Sequence, residues 1–164
     1  MTLPEKERER FCQVLHHSRT SLYRLAFSIT RNSSDAQEAV AEAVCRAYER
    51  YPQLREKEKL PRWLLKITAN EARRLCQRRG RTVSLDDLPT EPAIPGRETG
   101  DDTLWQAVQT LPQDQREAVV LFYYEDLPTE EIARIVGTSP GAVRVRLSRA
   151  REKLRSILKE GDYG

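Results

Sequence analysis

The chain has 164 residues, of which 38% are hydrophobic and 32% charged, and its formal net charge is +3. This size accommodates one ordinary domain or two small ones, and the composition is typical of a soluble helical protein rather than a disordered or fibrous one. No apolar run approaches the roughly 20 residues of a membrane span, and the polar start MTLPEKERER is unlike a signal peptide. We therefore expect a cytoplasmic protein that is not itself in a membrane.

The three cysteines, Cys12, Cys45 and Cys76, are odd in number and far apart. They lack the paired short spacing of a zinc site or a disulfide framework. Cys12 lies near His16 and His17, but no further ligand cluster completes a four-coordinate metal site. We therefore expect no metal and no cofactor, and we expect reduced, mostly buried thiols.

Apolar residues recur at helical spacing from residue 8 to 79, and the interruptions RNSSD and YPQLREKEKLP predict three helices. The first is expected from Glu7 to Thr30. The second is expected to begin after an N-cap at Ser33 or Ser34, with Asp35 favourable at its positive end. The third opens at Pro61, in a favoured first position. These helices predict a bundle.

A change of composition follows the third helix. The segment TVSLDDLPTEPAIPGRETGDD contains three prolines, two glycines, six acidic residues and one basic residue, which predicts a linker. Beyond it, TLWQAVQTLP and PQDQREAVVLFYYED predict two short helices. The expected organisation is therefore a first domain over residues 1–81, an acidic linker over 82–103 and a second domain over 104–164.

The C-terminal stretch LPTEEIARIVGTSPGAVRVRLSRAREKL has the pattern of a helix-turn-helix. Thr129 is expected to cap a helix from Glu130 to Val136, and Ser139 is expected to cap a second helix that begins at Pro140. Gly137 lies where the chain leaves the first of these helices. That position favours a positive φ, which glycine adopts at low cost.

The second helix of this motif is strongly basic, since six of the twelve residues from Arg144 to Arg155 are lysine or arginine. On a wheel of about 100° per residue, its apolar stripe is predicted to face the core. The opposite face has hydrogen-bonding side chains at its centre and cations at its borders, which suits the base edges and phosphates of a DNA major groove. The apolar stripe comprises Val143, Leu147, Ala150 and Leu154, and the opposite face comprises Val145, Ser148, Arg149 and Glu152, bordered by Arg144, Arg146, Arg151, Lys153 and Arg155.

Two upstream helices differ in charge. The stretch LPRWLLKITANEARRLCQRRGR interleaves its apolar stripe with cations and an amide, and Trp63 is expected to anchor the core rather than to stack on a base. The preceding helix is acidic, and its outward carboxylates indicate either a protein partner or plain solvation. These carboxylates belong to Asp35, Glu38, Glu42 and Glu49.

Taken together, these segments resemble the two modules of an extracytoplasmic-function (ECF) sigma factor of the sigma-70 family. The resemblance rests on LYRLAFSITRNSSDAQEAVAEAVCRAYERY, WLLKITANEARRLCQRR and LPQDQREAVVLFYYEDLPTEEIARIVGTSPGAVRVRLSRAREKLR. It implies an all-α fold of two small helical domains, a region 2 bundle of three to four helices and a region 4 helix-turn-helix. It also implies a non-enzymatic initiation factor that binds core RNA polymerase and directs it to specific promoters.

The resemblance implies a role for each module. Region 2 would engage the melted −10 element and the clamp helices of the largest polymerase subunit, whereas region 4 would read the −35 duplex and contact the polymerase flap. A further implied partner is an anti-sigma factor, often membrane-anchored. The implied DNA-binding residues are Arg62, Lys66, Asn70, Arg73 and Arg74, with the loop Gln53 to Lys59, in region 2, and Arg144, Arg146, Ser148 and Arg149 in region 4, to which the helical wheel adds Arg151 and Lys153.

The same resemblance assigns the polymerase contact to the acidic second helix, through Asp35, Glu38 and Glu42. This helix departs from the usual family pattern at two positions. Ala41 stands where the family has glutamine, and Val44 stands where it has an aromatic residue. The departures concern the clamp contact rather than the DNA contacts.

Three other functions share parts of this pattern. A stand-alone helix-turn-helix regulator would carry a motif like EEIARIVGTSPGAVRVRL, but it would need a dimer surface or a sensor domain. An enzyme would need a phosphate-cradling glycine loop, a metal cluster or a nucleophile and base, none of which the sequence contains. An adaptor that binds polymerase without reading promoters is the remaining alternative.

Overall fold

The computed structural model describes residues 3–80 and 102–160. The chain divides into two compact units, residues 1–92 and 93–164. Every regular element in the described residues is helical, so the predicted all-α fold of two small helical units is confirmed. Most of the segment predicted as a linker lies outside the described residues.

The first unit is a bundle of three long helices, each packed against the other two. They are α1 (Glu5–Thr30), α2 (Ser33–Arg50) and α3 (Leu60–Arg78). Two short 3-10 turns, Tyr51–Gln53 and Lys57–Lys59, lie between α2 and α3. The largest side chains of its core are fully buried, namely Leu22, Leu25, Phe27, Tyr51, Leu60 and Leu64.

The turn between α1 and α2 is defined by two local features. Arg31 adopts a left-handed φ of 53°, and its N–H donates to the carbonyl of Phe27, which ends α1. Asn32 then caps α2, because its side-chain oxygen accepts from the N–H of Asp35 at 2.9 Å. The predicted caps at Ser33 or Ser34 are therefore wrong, because α2 begins at Ser33 and the side chain of Asn32 accepts the hydrogen bond from its third N–H group.

Tyr51 anchors the segment between α2 and α3 to the core of the bundle. Its ring is fully buried and meets Phe11 edge-on at a centroid distance of 5.4 Å. Lys57 Nζ donates to the Tyr51 carbonyl at 2.6 Å and lies 4.2 Å from the centroid of the Tyr51 ring. Burial raises the pKa of the Tyr51 phenol, and the nearby Glu7 carboxylate raises it further. The phenol is therefore neutral across the physiological pH range.

The thiols are more accessible than the sequence predicts. Cys12 and Cys45 are exposed and Cys76 is half-buried, so the expectation of mostly buried cysteines is wrong. Cys45 lies two residues from both Ala43 and Ala47, which are fully buried, and this spacing puts it on the opposite side of α2. No group of three or more metal-ligating side chains occurs in the described parts of the chain.

The second unit contains four α-helices within residues 102–160: α4 (Asp102–Gln109), α5 (Gln113–Val119), α6 (Thr129–Val136) and α7 (Pro140–Glu160). The helix predicted from PQDQREAVVLFYYED widens into a π-helical turn at Val120–Tyr124. Trp105 is buried and meets Tyr124 edge-on at 5.4 Å, so α4 and the π-helical turn share one core. None of the helices in the described residues is both long and apolar enough to cross a membrane.

The turn between α6 and α7 has the predicted geometry, although α6 begins differently. Gly137 ends α6 with φ 78°, and the N–H of Ala142 donates to Ser139 Oγ at 3.1 Å, so both predictions for this turn are confirmed. Thr129 is the first residue of α6 rather than its cap. Its hydroxyl lies 3.4 Å from the neighbouring Glu130 carboxylate, and Pro128 occupies the cap position.

Gly137→Ala is expected to destabilise the second unit by about 1 kcal/mol, because alanine tolerates this left-handed conformation poorly. An added Cβ would meet no atom within 4 Å, so the effect would come from the backbone alone. The measurement is urea unfolding followed by Trp105 fluorescence in a Trp63→Phe background. Gly141→Ala, at the start of α7, is the matched control and should be neutral or stabilising, since alanine favours helix. Equal destabilisation by both substitutions would contradict this account.

Candidate nucleic-acid interface

The buried stripe of α7 fixes which of its faces is free. The four side chains predicted to face the core, Val143, Leu147, Ala150 and Leu154, are all buried. Helix α6 packs against α7, and its residues Ile132, Ala133 and Ile135 are buried. The predicted orientation of α7 is therefore confirmed, and the basic face points away from its own unit.

The outward face of α7 is continuous over about three turns. Ser148 and Arg149 are exposed near its centre, and no hydrogen bond or ion pair engages the Arg149 guanidinium within the described residues. Such a face offers hydrogen-bond donors at its centre and positive charge along both borders. The exposed members are Arg144, Val145, Ser148, Arg149, Arg151, Glu152, Lys153 and Arg155, whereas Arg146 is half-buried.

Two of the border cations are held by residues outside α7. Arg151 Nε donates to the Tyr123 hydroxyl at 2.6 Å, and its guanidinium also lies 5.8 Å from the Phe122 ring centroid. On the other border, Arg146 Nε lies 3.8 Å from the carboxylate of Asp114, at the start of α5. Sequence reasoning missed Tyr123 and Asp114, because both are far from α7 along the chain and carry no motif of their own.

The third helix of the first unit carries a second polar stripe. Arg62, Lys66 and Asn70 are exposed, Arg73 is half-buried, and all four fall within about 80° on a helical wheel. Arg73 Nη1 donates to Asn70 Oδ1 at 3.3 Å, which links two members of the stripe. Trp63 is half-buried at its edge. The structure thus brings together four of the five residues predicted for this surface.

Arg74, the fifth predicted residue, lies on the side of α3 that faces α2. Its Nη1 is 3.3 Å from the carboxylate of Glu71, which is almost completely buried. The same carboxylate oxygen lies 2.9 Å from Arg46 Nε on α2, and Arg46 Nε is in turn 3.5 Å from Glu42. Arg74 therefore belongs to an ion-pair network between the two helices.

The three acidic residues of α2 differ in accessibility. The Asp35 side chain is only 12% exposed, and its carboxylate lies 3.2 Å from Arg79 Nη2. Glu38 and Glu42 are each 54% exposed, and Glu38 is 3.5 Å from the same Arg79 nitrogen. Glu38 and Glu42 therefore present carboxylates at the surface, whereas the Asp35 carboxylate is mostly buried and pairs with Arg79 at the end of α3.

Between α2 and α3 lies an open groove of about 190 Å³. Both edges carry acidic and basic side chains, so the groove offers both charges to a partner. The groove is lined by Glu38, Ala39, Glu42, Arg46, Glu71, Arg74, Leu75 and Arg78.

Comparison with known proteins matches each unit separately. The family model described as Sigma-70 region 2 matches residues 14–82, and the model described as Sigma-70 region 4 matches residues 101–154. The RNA polymerase sigma factor SigV of Bacillus subtilis is 32% identical over 142 residues, which cover 85% of this chain and 86% of SigV.

The chain belongs to the sigma-70 family. This sigma factor is also similar to the ECF RNA polymerase sigma factor EcfG of Rhodopseudomonas palustris, with 32% identity over 143 residues that cover 84% of this chain and 79% of EcfG. Among solved structures, it resembles the sigma factor RpoE in complex with the anti-sigma factor NepR from Bartonella quintana. That match has a TM-score of 0.74 and 27% identity, and covers 95% of this chain and 98% of RpoE.

Membership of this family confirms the predicted function. The protein is an alternative sigma factor of the ECF type, a non-enzymatic initiation factor that directs RNA polymerase to promoters. The comparisons do not favour the stand-alone regulator, whose motif would resemble only the second unit.

Proposed function

We propose that α7 of the second unit reads the −35 duplex from the major groove. The observation that carries this proposal is the outward face of α7, whose buried stripe leaves Ser148 and Arg149 exposed at the centre. Arginine at such a position can bond a guanine edge through two parallel donors. Cations on both borders would meet the two phosphate backbones; these are Arg144, Arg146, Arg151 and Lys153.

The first unit would engage the melted −10 element through the stripe on α3. Arg62, Lys66 and Arg73 would contact the strand backbone, and the Asn70 amide would hydrogen-bond a base or a phosphate. The loop Gln53 to Lys59 would lie near a flipped base. The hydrogen bond from Lys57 to the Tyr51 carbonyl attaches this loop to the bundle, so the loop would give the base a fixed contact surface. Arg74 remains a predicted member of this surface. To contact DNA, its guanidinium would have to leave its ion pair with Glu71.

The polymerase contact would be the groove between α2 and α3. Glu38 and Glu42 offer exposed carboxylates to the clamp helices of the largest subunit, while Asp35 acts through Arg79. Ala41 is exposed and Val44 half-buried on the same helix, but neither is among the residues that line the groove, so the departures from the family pattern lie beside this surface. The second unit would contact the polymerase flap.

Division of the chain into residues 1–81, a linker over 82–103 and residues 104–164 fits this mechanism. Polymerase would hold two DNA readers at a fixed spacing, so that neither reader needs high affinity by itself. Binding of one element raises the effective concentration of the other reader at its own site. Opening the duplex costs the free energy of base stacking, about 1.4 kcal/mol per base step. Capture of an unstacked base would offset this cost.

We further propose that an anti-sigma factor regulates this protein in the cytoplasm. RpoE, which it resembles at 27% identity, was solved in complex with the anti-sigma factor NepR. Such a partner would cover the polymerase and DNA surfaces until a signal releases it. The family resemblance also favours a partner anchored in a membrane.

Run-off transcription with purified core RNA polymerase tests the function as a whole. A pool of promoter fragments is transcribed with and without the protein, and transcripts that appear only with the protein are expected to share an upstream and a downstream element. DNA binding by the isolated protein without polymerase-dependent initiation would contradict the mechanism. Promoter binding is measured with the holoenzyme, which is the full chain bound to core polymerase.

Tyr123→Phe is expected to weaken promoter binding by the holoenzyme about 2- to 5-fold, because Arg151 would lose the acceptor that immobilises it. The ring remains, so packing against Phe122 is retained. Titration of a labelled promoter fragment measures the change. Combined with Arg151→Ala, the tyrosine substitution should add nothing, since it acts through that arginine. Fully additive losses would mean that Tyr123 acts by another route.

A further inference from the structure

One side chain on the outward face of α7 does not fit the polar chemistry of its surroundings. Val145 is 48% exposed and is one of three large apolar side chains exposed in the described residues, with Leu104 and Tyr123. It lies two residues from both Val143 and Leu147, which are buried, so it projects from the side opposite the core. Tyr123 is explained by its bond to Arg151, whereas Val145 has no such role.

Helix stability does not account for a valine here. A β-branched residue has a lower helix propensity than the arginines beside it, and exposure of its methyl groups brings no burial in the free protein. Valine also cannot bond a phosphate. An exposed valine at this position therefore indicates that the ligand of the outward face has an apolar group that covers Val145.

The major groove offers one kind of apolar feature at base edges, the C5-methyl group of thymine. Valine suits that contact, because in a helix it has one strongly preferred rotamer and loses little freedom when its methyl groups are covered. Arg144 and Arg146 flank it, so water would be displaced from both sides of the contact. Ser148 and Arg149 lie one turn further along the same face.

We propose that Val145 is a specificity-determining residue that reads a thymine of the upstream promoter element through its C5-methyl group. This inference rests on the proposed placement of α7 in the major groove. Four residues of helix rise about 6 Å and base pairs are about 3.4 Å apart, so the thymine lies within about two base pairs of the base read by Arg149.

Replacement of thymine by deoxyuridine isolates this contact, because it removes the C5-methyl group and retains every hydrogen-bonding group. A promoter is first selected with the holoenzyme from a pool of fragments. Each thymine of its upstream element is then replaced in turn, and the dissociation constant is measured. One replacement, near the base read by Arg149, is expected to weaken binding about 3- to 10-fold.

The protein side of the test uses Val145→Ala, which leaves the buried stripe of α7 intact. This variant should bind the thymine promoter more weakly by a similar factor and should be indifferent to deoxyuridine at the same position. Leu104→Ala is the matched control, since it removes another exposed apolar side chain of the same unit and should leave the deoxyuridine effect unchanged.

The inference is overturned if no thymine shows the effect, or if the effect persists in Val145→Ala. Failure to select any promoter would instead overturn the sigma mechanism, and this inference with it. The two failures are distinguishable, because the first occurs with a promoter in hand.

Discussion

Arg149→Ala is expected to weaken promoter binding by the holoenzyme about 5- to 150-fold, which corresponds to the loss of one arginine that reads a base edge. The Arg149 side chain is exposed at the centre of the outward face of α7, and no ion pair holds it within the described residues. Its removal should therefore leave the fold of the second unit unchanged. Run-off transcription should fall with binding, since the −35 contact helps to recruit polymerase.

Arg149→Lys separates the two ways in which this residue could act. Lysine keeps the positive charge but lacks the planar fork that bonds two acceptors at once. If Arg149 reads a base, the lysine variant should bind better than the alanine variant yet discriminate poorly at one base pair of the upstream element. Titrations against promoters altered at each position in turn, at one fixed salt concentration, measure this discrimination.

Lys153→Ala provides the contrast on the same helix. A phosphate contact should weaken binding to all sequences alike and reduce the salt dependence of binding by about one counterion. Should Arg149→Lys retain full sequence discrimination, Arg149 would be acting as a point charge. The base contact would then have to be sought among the neighbouring residues.

The orientation of α7 could be predicted because it depends on local geometry alone. A helix of known period fixes which side chains share a face, and the apolar residues identify the face that is buried. The glycine turn and the Ser139 cap are local in the same sense, and both have the predicted form. Patterns of this kind extend over a few turns and are visible in one sequence.

Contacts between elements could not be predicted in this way. The bond from Arg151 to Tyr123 spans 28 residues, and the pair of Arg46 with Glu71 joins two helices. Neither has a characteristic spacing, because packing rather than sequence distance decides which side chains meet. The errors at Asn32 and Thr129 are of a smaller kind. Several adjacent residues can cap a helix, and backbone geometry selects among them.

The placement of Arg74 shows what this limit means for the site. The sequence groups it with the other cations of α3, and the family resemblance assigns it to DNA. In the structure Arg74 lies on the side of α3 that faces α2, where it forms an ion pair with the Glu71 carboxylate. Glu71 lies three residues from Arg74 on the same helix, a spacing that is visible in the sequence. Only the packing of α3 against α2 reveals that this carboxylate is buried and also pairs with Arg46.

Glu71→Ala is expected to lower the free energy of unfolding of the first unit by about 2 to 3 kcal/mol. The Glu71 side chain is 7% exposed and lies between Arg46 and Arg74, at 2.9 and 3.3 Å. Its removal would leave two guanidinium groups without the carboxylate that they share, and Arg46 would retain its longer pair with Glu42 at 3.5 Å. Water reaches Arg46 and Arg74, which are 35% and 52% exposed, so the effect should be smaller than for a fully buried pair.

Glu56→Ala is the matched control for this prediction. The Glu56 carboxylate is 2.6 Å from Lys59 Nζ, a shorter distance than either pair of Glu71, but both side chains are more than half exposed. An exposed pair contributes about 0 to 1 kcal/mol, so this variant should be close to the parent. Urea unfolding followed by Trp63 fluorescence, in a Trp105→Phe background, reports on the first unit for both variants.

The two results together decide whether burial or the distance between the charges determines how much these ion pairs contribute to stability. If distance were decisive, Glu56→Ala would be at least as damaging as Glu71→Ala. A large effect confined to Glu71 would mean that the charged side chains of the groove depend on this buried carboxylate. Glu71→Gln should then fall between the parent and the alanine variant, because it keeps the shape and a hydrogen-bonding oxygen but not the charge. A glutamine variant as stable as the parent would show instead that the charge of Glu71 is not needed and that its shape and hydrogen bonding suffice.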